Sequence, residues 1–148
     1  MSAVRSHDAR VDRAVNFFEQ LSRADLQRIG EVYAADAHFK DPFSEVHGVP
    51  AIAAVFEHMY RVVDVPRFVV HDIVADGDHC FLTWDFLFRF KRFAPGVDQV
   101  LRGATHLHFA ADGRIVLHRD YWDAAEELYE KLPAVGALMR WLKRRAKA

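Results

Sequence analysis

Between Ala9 and Leu21, apolar Val11, Ala14, Val15, Phe18 and Leu21 recur at spacings of three and four, which predicts an amphipathic helix. Asp8, just before it, is the expected N-cap. A second, short helix is predicted from Asp25, read as another capping residue, through Leu26, Ile29, Val32 and Tyr33. A brief strand carrying Phe39 and Asp41 follows, and Pro42 ends it. After Gly48, Pro50 suits a first helical turn, and Ile52, Val55, Phe56, Met59 and Val63 form one apolar face up to Pro66.

The second half changes period. Residues 67–75, 79–93, 97–110 and 114–122 are rich in β-branched and aromatic side chains and predict four strands. Asp76-Gly77-Asp78 and Asp112-Gly113 are tight-turn sequences, and Ala94-Pro95-Gly96 makes a looser connection. On the second of these strands Leu82, Trp84, Phe86, Phe88 and Phe90 share one face, expected to be concave, while Thr83, Asp85, Leu87 and Arg89 share the other. On the last strand His118, Asp120 and Trp122 oppose Leu117, Arg119 and Tyr121, and polarity does not decide which set faces inward.

Helices followed by hairpin-linked strands predict an α+β fold, a curved antiparallel sheet wrapped around the N-terminal helices. The 148 residues, 51% hydrophobic, supply one core, and no linker or repeat divides them, so a single domain over 1–148 is expected. One cysteine, Cys80, excludes a disulfide framework and fits a reducing cytoplasm. No stretch approaches the roughly 20 apolar residues that span a bilayer, and a soluble protein is expected.

Net charge is -1, but residues 134–148 hold Arg140, Lys143, Arg144, Arg145 and Lys147 and no acid. The rest of the chain is therefore net acidic, which argues against nucleic acid as a partner. A basic helix is expected over about 134–146, with Leu138, Met139, Trp141 and Leu142 on it. The expected placement packs its apolar side on the sheet or on a neighbouring subunit; contact with an anionic membrane is the alternative.

Asp41 and Asp120 are the candidate chemistry, two carboxylates bordering an aromatic interior whose desolvation would raise their pKa values. Each also has a structural reading: an Asx turn ahead of Phe43 for Asp41, an ion-pair network with Arg102, Arg119 or a histidine for Asp120. His118, two residues before Asp120, is the third candidate catalytic residue, orienting Asp120 or assisting in proton transfer; a satisfied core histidine is the alternative. His106-x-His108 offers too few ligands for a metal, and no metal site is expected. Among the remaining histidines, only His71 is placed within reach of the interior, while His58 is read as lying on a polar helix face.

The run AADAHFKDPFSEVHGVPAIAAVF, preceded by RADLQRIGEVY and followed by strands ending DGRIVLHRDYWD, resembles the nuclear transport factor 2-like superfamily, especially SnoaL-like and ketosteroid-isomerase-related proteins. The resemblance covers nearly the whole chain. It implies a cone-shaped, cystatin-like α+β barrel with a deep hydrophobic pocket, a small-molecule ligand, no cofactor and a homodimer, expected through the outer sheet face.

Asp41 in KDP falls where ketosteroid isomerases carry their general base, and Asp120 resembles the late-strand acid or base of SnoaL-like cyclases. Phe17 stands where those isomerases have a tyrosine donor and Thr105 where they have a protonated aspartic acid. Loss of one oxyanion donor can cost roughly 3 kcal/mol, so ketosteroid isomerisation itself is not expected. A limonene-epoxide-hydrolase set is not matched either, for want of a clear inward Arg-x-Asp pair. The expected pocket is lined by Phe17, Tyr33, Phe56, Met59 and Tyr60 from the helical half and Trp84, Phe86, Thr105 and Trp122 from the sheet. Acid/base chemistry of the isomerase, cyclase or lyase type on a small hydrophobic carbonyl or polycyclic compound is expected. A non-catalytic binding or scaffold protein is the alternative.

Overall fold

The computed structural model describes residues 6–92 and 94–147. Phe93, assigned above to a strand end, and Ala148 lie outside the described residues. Helix α1 (Ala9–Glu19) is capped by Asp8, whose side chain accepts the N–H of Arg10. Its buried stripe is Val11, Ala14, Val15 and Phe18. The next element is a 3-10 helix, Arg23–Glu31, rather than an α-helix from Asp25. Ser22 is its N-cap and Asp25 the reciprocating acid of the capping box, three residues further on.

Strand β1 (Tyr33–Lys40) is longer than predicted and stops one residue before Asp41. A three-residue strand, β2 (Glu45–His47), folds back on it, pairing His38 with His47. Helix α2 (Val49–Val62) then begins with Pro50 in its first turn. Strand β3 (Val63–Asp76) starts four residues earlier than the apolar run suggests. It does so through an irregularity between Asp64 and Arg67, where Val65 adopts φ 47° beside Pro66. A proline that cannot donate to a ladder is accommodated at such a break.

Strands β4 (His79–Phe90), β5 (Gln99–Phe109) and β6 (Ile115–Tyr121) follow as a meander, with Gly77 and Gly113 at positive φ in the turns. A four-residue helix α3 (Ala124–Glu127), a 3-10 turn (Tyr129–Lys131) and helix α4 (Pro133–Ala146) end the described chain.

The six strands form one curved sheet in the order β2-β1-β6-β5-β4-β3. All neighbours are antiparallel except β1 and β6, which run parallel, so the expected antiparallel sheet is in fact mixed. The parallel step arises because β1 joins from the helical half and enters beside the last strand. It sets Phe39 opposite His118 and Lys40 opposite Arg119. Helix α1 packs on β3, and α2 packs on β1 and β3, so the helices lie across the sheet face that carries Leu82, Trp84 and Phe88. Each fully buried aliphatic or aromatic side chain there contributes about 1.5–3 kcal/mol. Cys80 is buried among them, and its thiol is pushed up to about 11 by desolvation.

Candidate active site

Asp41 sits immediately after β1, where Pro42 stops the ladder. Its Oδ1 accepts the N–H of Phe43 at 2.8 Å and of Ser44 at 2.6 Å, and its own N–H donates to the Ser44 carbonyl at 2.9 Å. This is the Asx turn foreseen as its structural role. The carboxyl is nevertheless held above the usual aspartate range, chiefly by desolvation. The two backbone N–H groups oppose that shift, and the charge of Asp120 adds to it.

Asp120 lies on the inward face of β6 with His118. Its Oδ1 accepts the hydroxyl of Thr105 at 2.5 Å and meets Nε2 of His118 at 2.8 Å. Behind Thr105, Nε1 of Trp84 donates to the threonine Oγ1 at 2.7 Å. Behind His118, the hydroxyl of Tyr33 lies 2.7 Å from Nδ1. With Oδ1 of Asp120 as the acceptor of the ring N–H, Nε2 carries the proton, Nδ1 accepts and Tyr33 donates to it.

Burial, and next the charge of Asp120, raise the Tyr33 phenol well above its ordinary 10.0, which keeps that donor protonated. The His118 ring is enclosed by Phe18 at 5.4 Å, Tyr33 at 5.9 Å and Phe39 at 4.7 Å. Oδ2 of Asp120 has no hydrogen-bond donor among the described residues.

Both carboxylates border a hollow of about 660 Å³. Its walls come from α2 (Phe56, His58, Met59), β4 (Trp84, Phe86, Phe88, Phe90), β3 (Phe68) and the ends of β1 and β6 (Phe39, Phe43, Trp122). Among the described residues neither lysine nor arginine lines it. A small recess of about 30 Å³ is lined by Phe18, Thr105, His118 and Asp120. A polar depression of about 550 Å³ also borders Asp41 and Asp120, with Lys40, Arg119 and Tyr121. The two acids thus stand between an aromatic interior and a wet surface.

Of the residues assigned to the pocket from sequence, Phe56, Met59, Trp84, Phe86 and Trp122 line the hollow, and Thr105 lines its recess. Phe17, Tyr33 and Tyr60 line neither. On α1 it is Phe18 that turns inward, with Phe17 half-buried edge-on to it at 5.7 Å. Tyr33 is wholly buried against His118, and the Tyr60 hydroxyl donates to the Leu21 carbonyl at 3.2 Å.

His71 pairs with Asp85 at 3.0 Å on the exposed side, whereas His58, assigned to a polar helix face, lines the hollow. Phe88 and Phe90 were placed on the concave face by alternation, but not in the pocket. Phe43 and Phe68 were legible only through their contacts, Phe43 edge-on to Trp122 at 5.3 Å and Phe68 stacked on Phe86 at 4.6 Å. Asp120 pairs with His118, not with Arg102, which binds buried Glu127 of α3 at 2.8 Å. Among the described residues no cluster of three or more His, Cys, Asp or Glu is arranged to hold a metal.

No curated protein matches this chain. Solved structures share its fold. A protein with a ketosteroid isomerase-like fold from Catenulispora acidiphila, in complex with trimethylamine, superposes with a TM-score of 0.70 at 15% identity, covering 83% of this chain and 92% of its own. TerC, co-crystallised with polyporic acid, gives 0.69 at 14% identity over 80% and 95%. An LEH-like epoxide hydrolase from M. tuberculosis gives 0.62 at 20% identity over 80% and 83%. At these identities the likeness is one of fold. A family model for the SnoaL-like domain matches residues 14–118, most of the chain, and with the six-stranded curved sheet it settles the assignment: the chain belongs to the SnoaL-like domain family.

Proposed function

We propose that the protein is an acid/base enzyme of the isomerase, cyclase or lyase type, acting on a small hydrophobic carbonyl or polycyclic compound. The supporting observation is the pair Asp41 and Asp120 at the polar edge of an aromatic hollow. A ligand filling the hollow would place a C–H bond beside a carbonyl against one carboxylate, which takes the proton; the other carboxyl returns a proton elsewhere on the same molecule. Proton count is conserved and nothing else is consumed. Oδ2 is the free oxygen of Asp120, because Thr105 and His118 hold Oδ1. His118 is a positioning residue: it orients Asp120. The homodimer through the outer sheet face and the cytoplasmic setting belong to the same proposal.

Asp41→Asn and Asp120→Asn, assayed separately on a panel of enolisable ketones, test the reading. Loss of turnover by at least tenfold in either supports it, and unchanged turnover in both overturns it.

A second reading, a binding protein without catalysis, is favoured by a specific observation. Thr105, the position matched to an oxyanion donor, spends its hydroxyl on Asp120, and Phe17 has none to give. Native mass spectrometry showing a co-purified ligand released unchanged would favour this alternative.

A further inference from the structure

Helix α4 is mounted the opposite way to an ordinary surface helix. Gly136, Arg140 and Lys143, spaced four and three apart, share one side. That side faces the protein: Gly136 is buried, and a Cβ there would lie 2.3 Å from the Glu130 carbonyl oxygen. Arg140 donates to the same carbonyl at 2.9 Å, and Lys143 pairs with the Glu130 carboxylate at 3.2 Å.

Apart from Met139, which is half-buried beside Gly136, the apolar set therefore points away from the body. Val135, Leu138, Trp141 and Leu142 are 40%, 51%, 46% and 44% exposed. The expected packing of this side on the sheet does not occur, because the docking site selects the small residue and the cations.

We propose that α4 is a membrane-docking helix that lies in the interface of an anionic bilayer. Charge complementarity selects that occupant: residues 134–147 carry five cations and no acid, whereas the rest of the chain is net acidic. Arg144 and Lys147 have no ion pair among the described residues, and Arg145 covers the Trp141 ring at 5.3 Å, at the edge of the apolar stripe. Exposed Leu and Trp flanked by Arg and Lys are the composition of an interfacial helix, whose apolar side enters the headgroup boundary while its cations meet lipid phosphates. Fourteen residues extend only about 21 Å, so the helix lies flat rather than spanning. A second copy of this chain is the competing occupant, and the same cations disfavour it, since two α4 helices would repel. Membrane docking requires no chemistry in the hollow.

The test is co-sedimentation of the full chain with phosphatidylcholine vesicles, alone or carrying about 30% phosphatidylglycerol. The expected result is capture by the anionic vesicles only, weakened about tenfold or more when the salt is raised from physiological to molar concentration. Leu138→Glu with Leu142→Glu, both at exposed positions, should lower capture by at least tenfold with circular dichroism and thermal unfolding unchanged. Three results overturn the proposal: no capture by anionic vesicles at low salt, equal capture of the double variant, or a dimer in sedimentation velocity that the double variant dissolves while vesicles remain unbound.

Discussion

The hydroxyl of Tyr33 donates to Nδ1 of His118 across 2.7 Å, and both side chains are shut away from solvent. Through that bond a residue outside the hollow occupies Nδ1 of His118 while Nε2 faces Asp120. Tyr33→Phe keeps the ring and removes the donor, leaving a buried acceptor unsatisfied. The expected cost is about 1–3 kcal/mol, read from urea unfolding. Nitrogen-15 NMR should show the Nδ1 resonance of His118 shifting as it loses its donor, with the proton kept on Nε2 by Asp120. If the variant unfolds like the parent and the His118 spectrum is unchanged, the chain from Tyr33 to Asp120 is not what orients the histidine.

Asp41 combines a turn-forming role with a desolvated charge, and the two separate on substitution. Asn keeps a side-chain oxygen for the Phe43 and Ser44 N–H groups but cannot ionise. The folded-state pKa of Asp41 is raised above its ordinary 3.8. Its favourable contribution is therefore full below about 3.8 and is lost as pH rises through the folded value. Asp41→Asn should thus gain stability relative to the parent near neutral pH, with the advantage vanishing in acid, while any turnover falls. Chemical unfolding of both proteins at the two pH values measures it; an advantage that grows in acid would reverse the sign of the desolvation argument.

Trp84 and Gly103 face each other across β4 and β5, and a Cβ on Gly103 would meet the indole at 2.5 Å. That ring is 94% buried, carries the hydrogen bond to Thr105 and walls the hollow, so it has little freedom to retreat. Gly103→Ala should cost about 1–3 kcal/mol by overpacking and should weaken any ligand that fills the hollow. Calorimetric unfolding and a ligand titration check the two halves of that expectation. An alanine variant as stable and as retentive as the parent would mean that the indole swings aside without loss.

What the sequence made legible is what periodicity encodes. Alternation on β4 put Trp84, Phe86, Phe88 and Phe90 on one face, and the three-four spacing found the stripes of α1 and α2. The KDP turn was readable because a proline and an Asx side chain act on their immediate neighbours. Two things were not readable, for one reason.

The parallel entry of β1 beside β6 and the mounting of α4 by Gly136 both depend on which distant surface an element meets, whereas Phe18 was already in the apolar stripe and only the resemblance drew Phe17 into the pocket. The face of β6 was undecided because both of its alternating sets mix polar and apolar residues. Tertiary hydrogen bonding decides it, with Thr105 and Tyr33 supplying partners for Asp120 and His118 on one side only.

The charge of the hollow predicts which ligands enter. Two carboxylates, nine phenylalanine and tryptophan side chains and His58 line it, with no lysine or arginine among the described residues. An anionic headgroup brought there would lose its hydration and meet like charge, and His58 is the single lining side chain among the described residues able to carry a positive charge. A protonated amine would meet opposite charge and the faces of Phe43 and Trp122, which attract cations. For a matched pair such as decylamine and decanoate near neutral pH, the amine should bind at least about tenfold more tightly, a difference of about 1.4 kcal/mol. Replacing Asp41 and Asp120 together by Asn should erase most of that gap without weakening a neutral ligand such as decanol. Isothermal titration of the three compounds against both proteins is the measurement. Equal affinity for amine and acid in the parent would show that the carboxylates do not govern entry to the hollow and that its selectivity rests on shape alone.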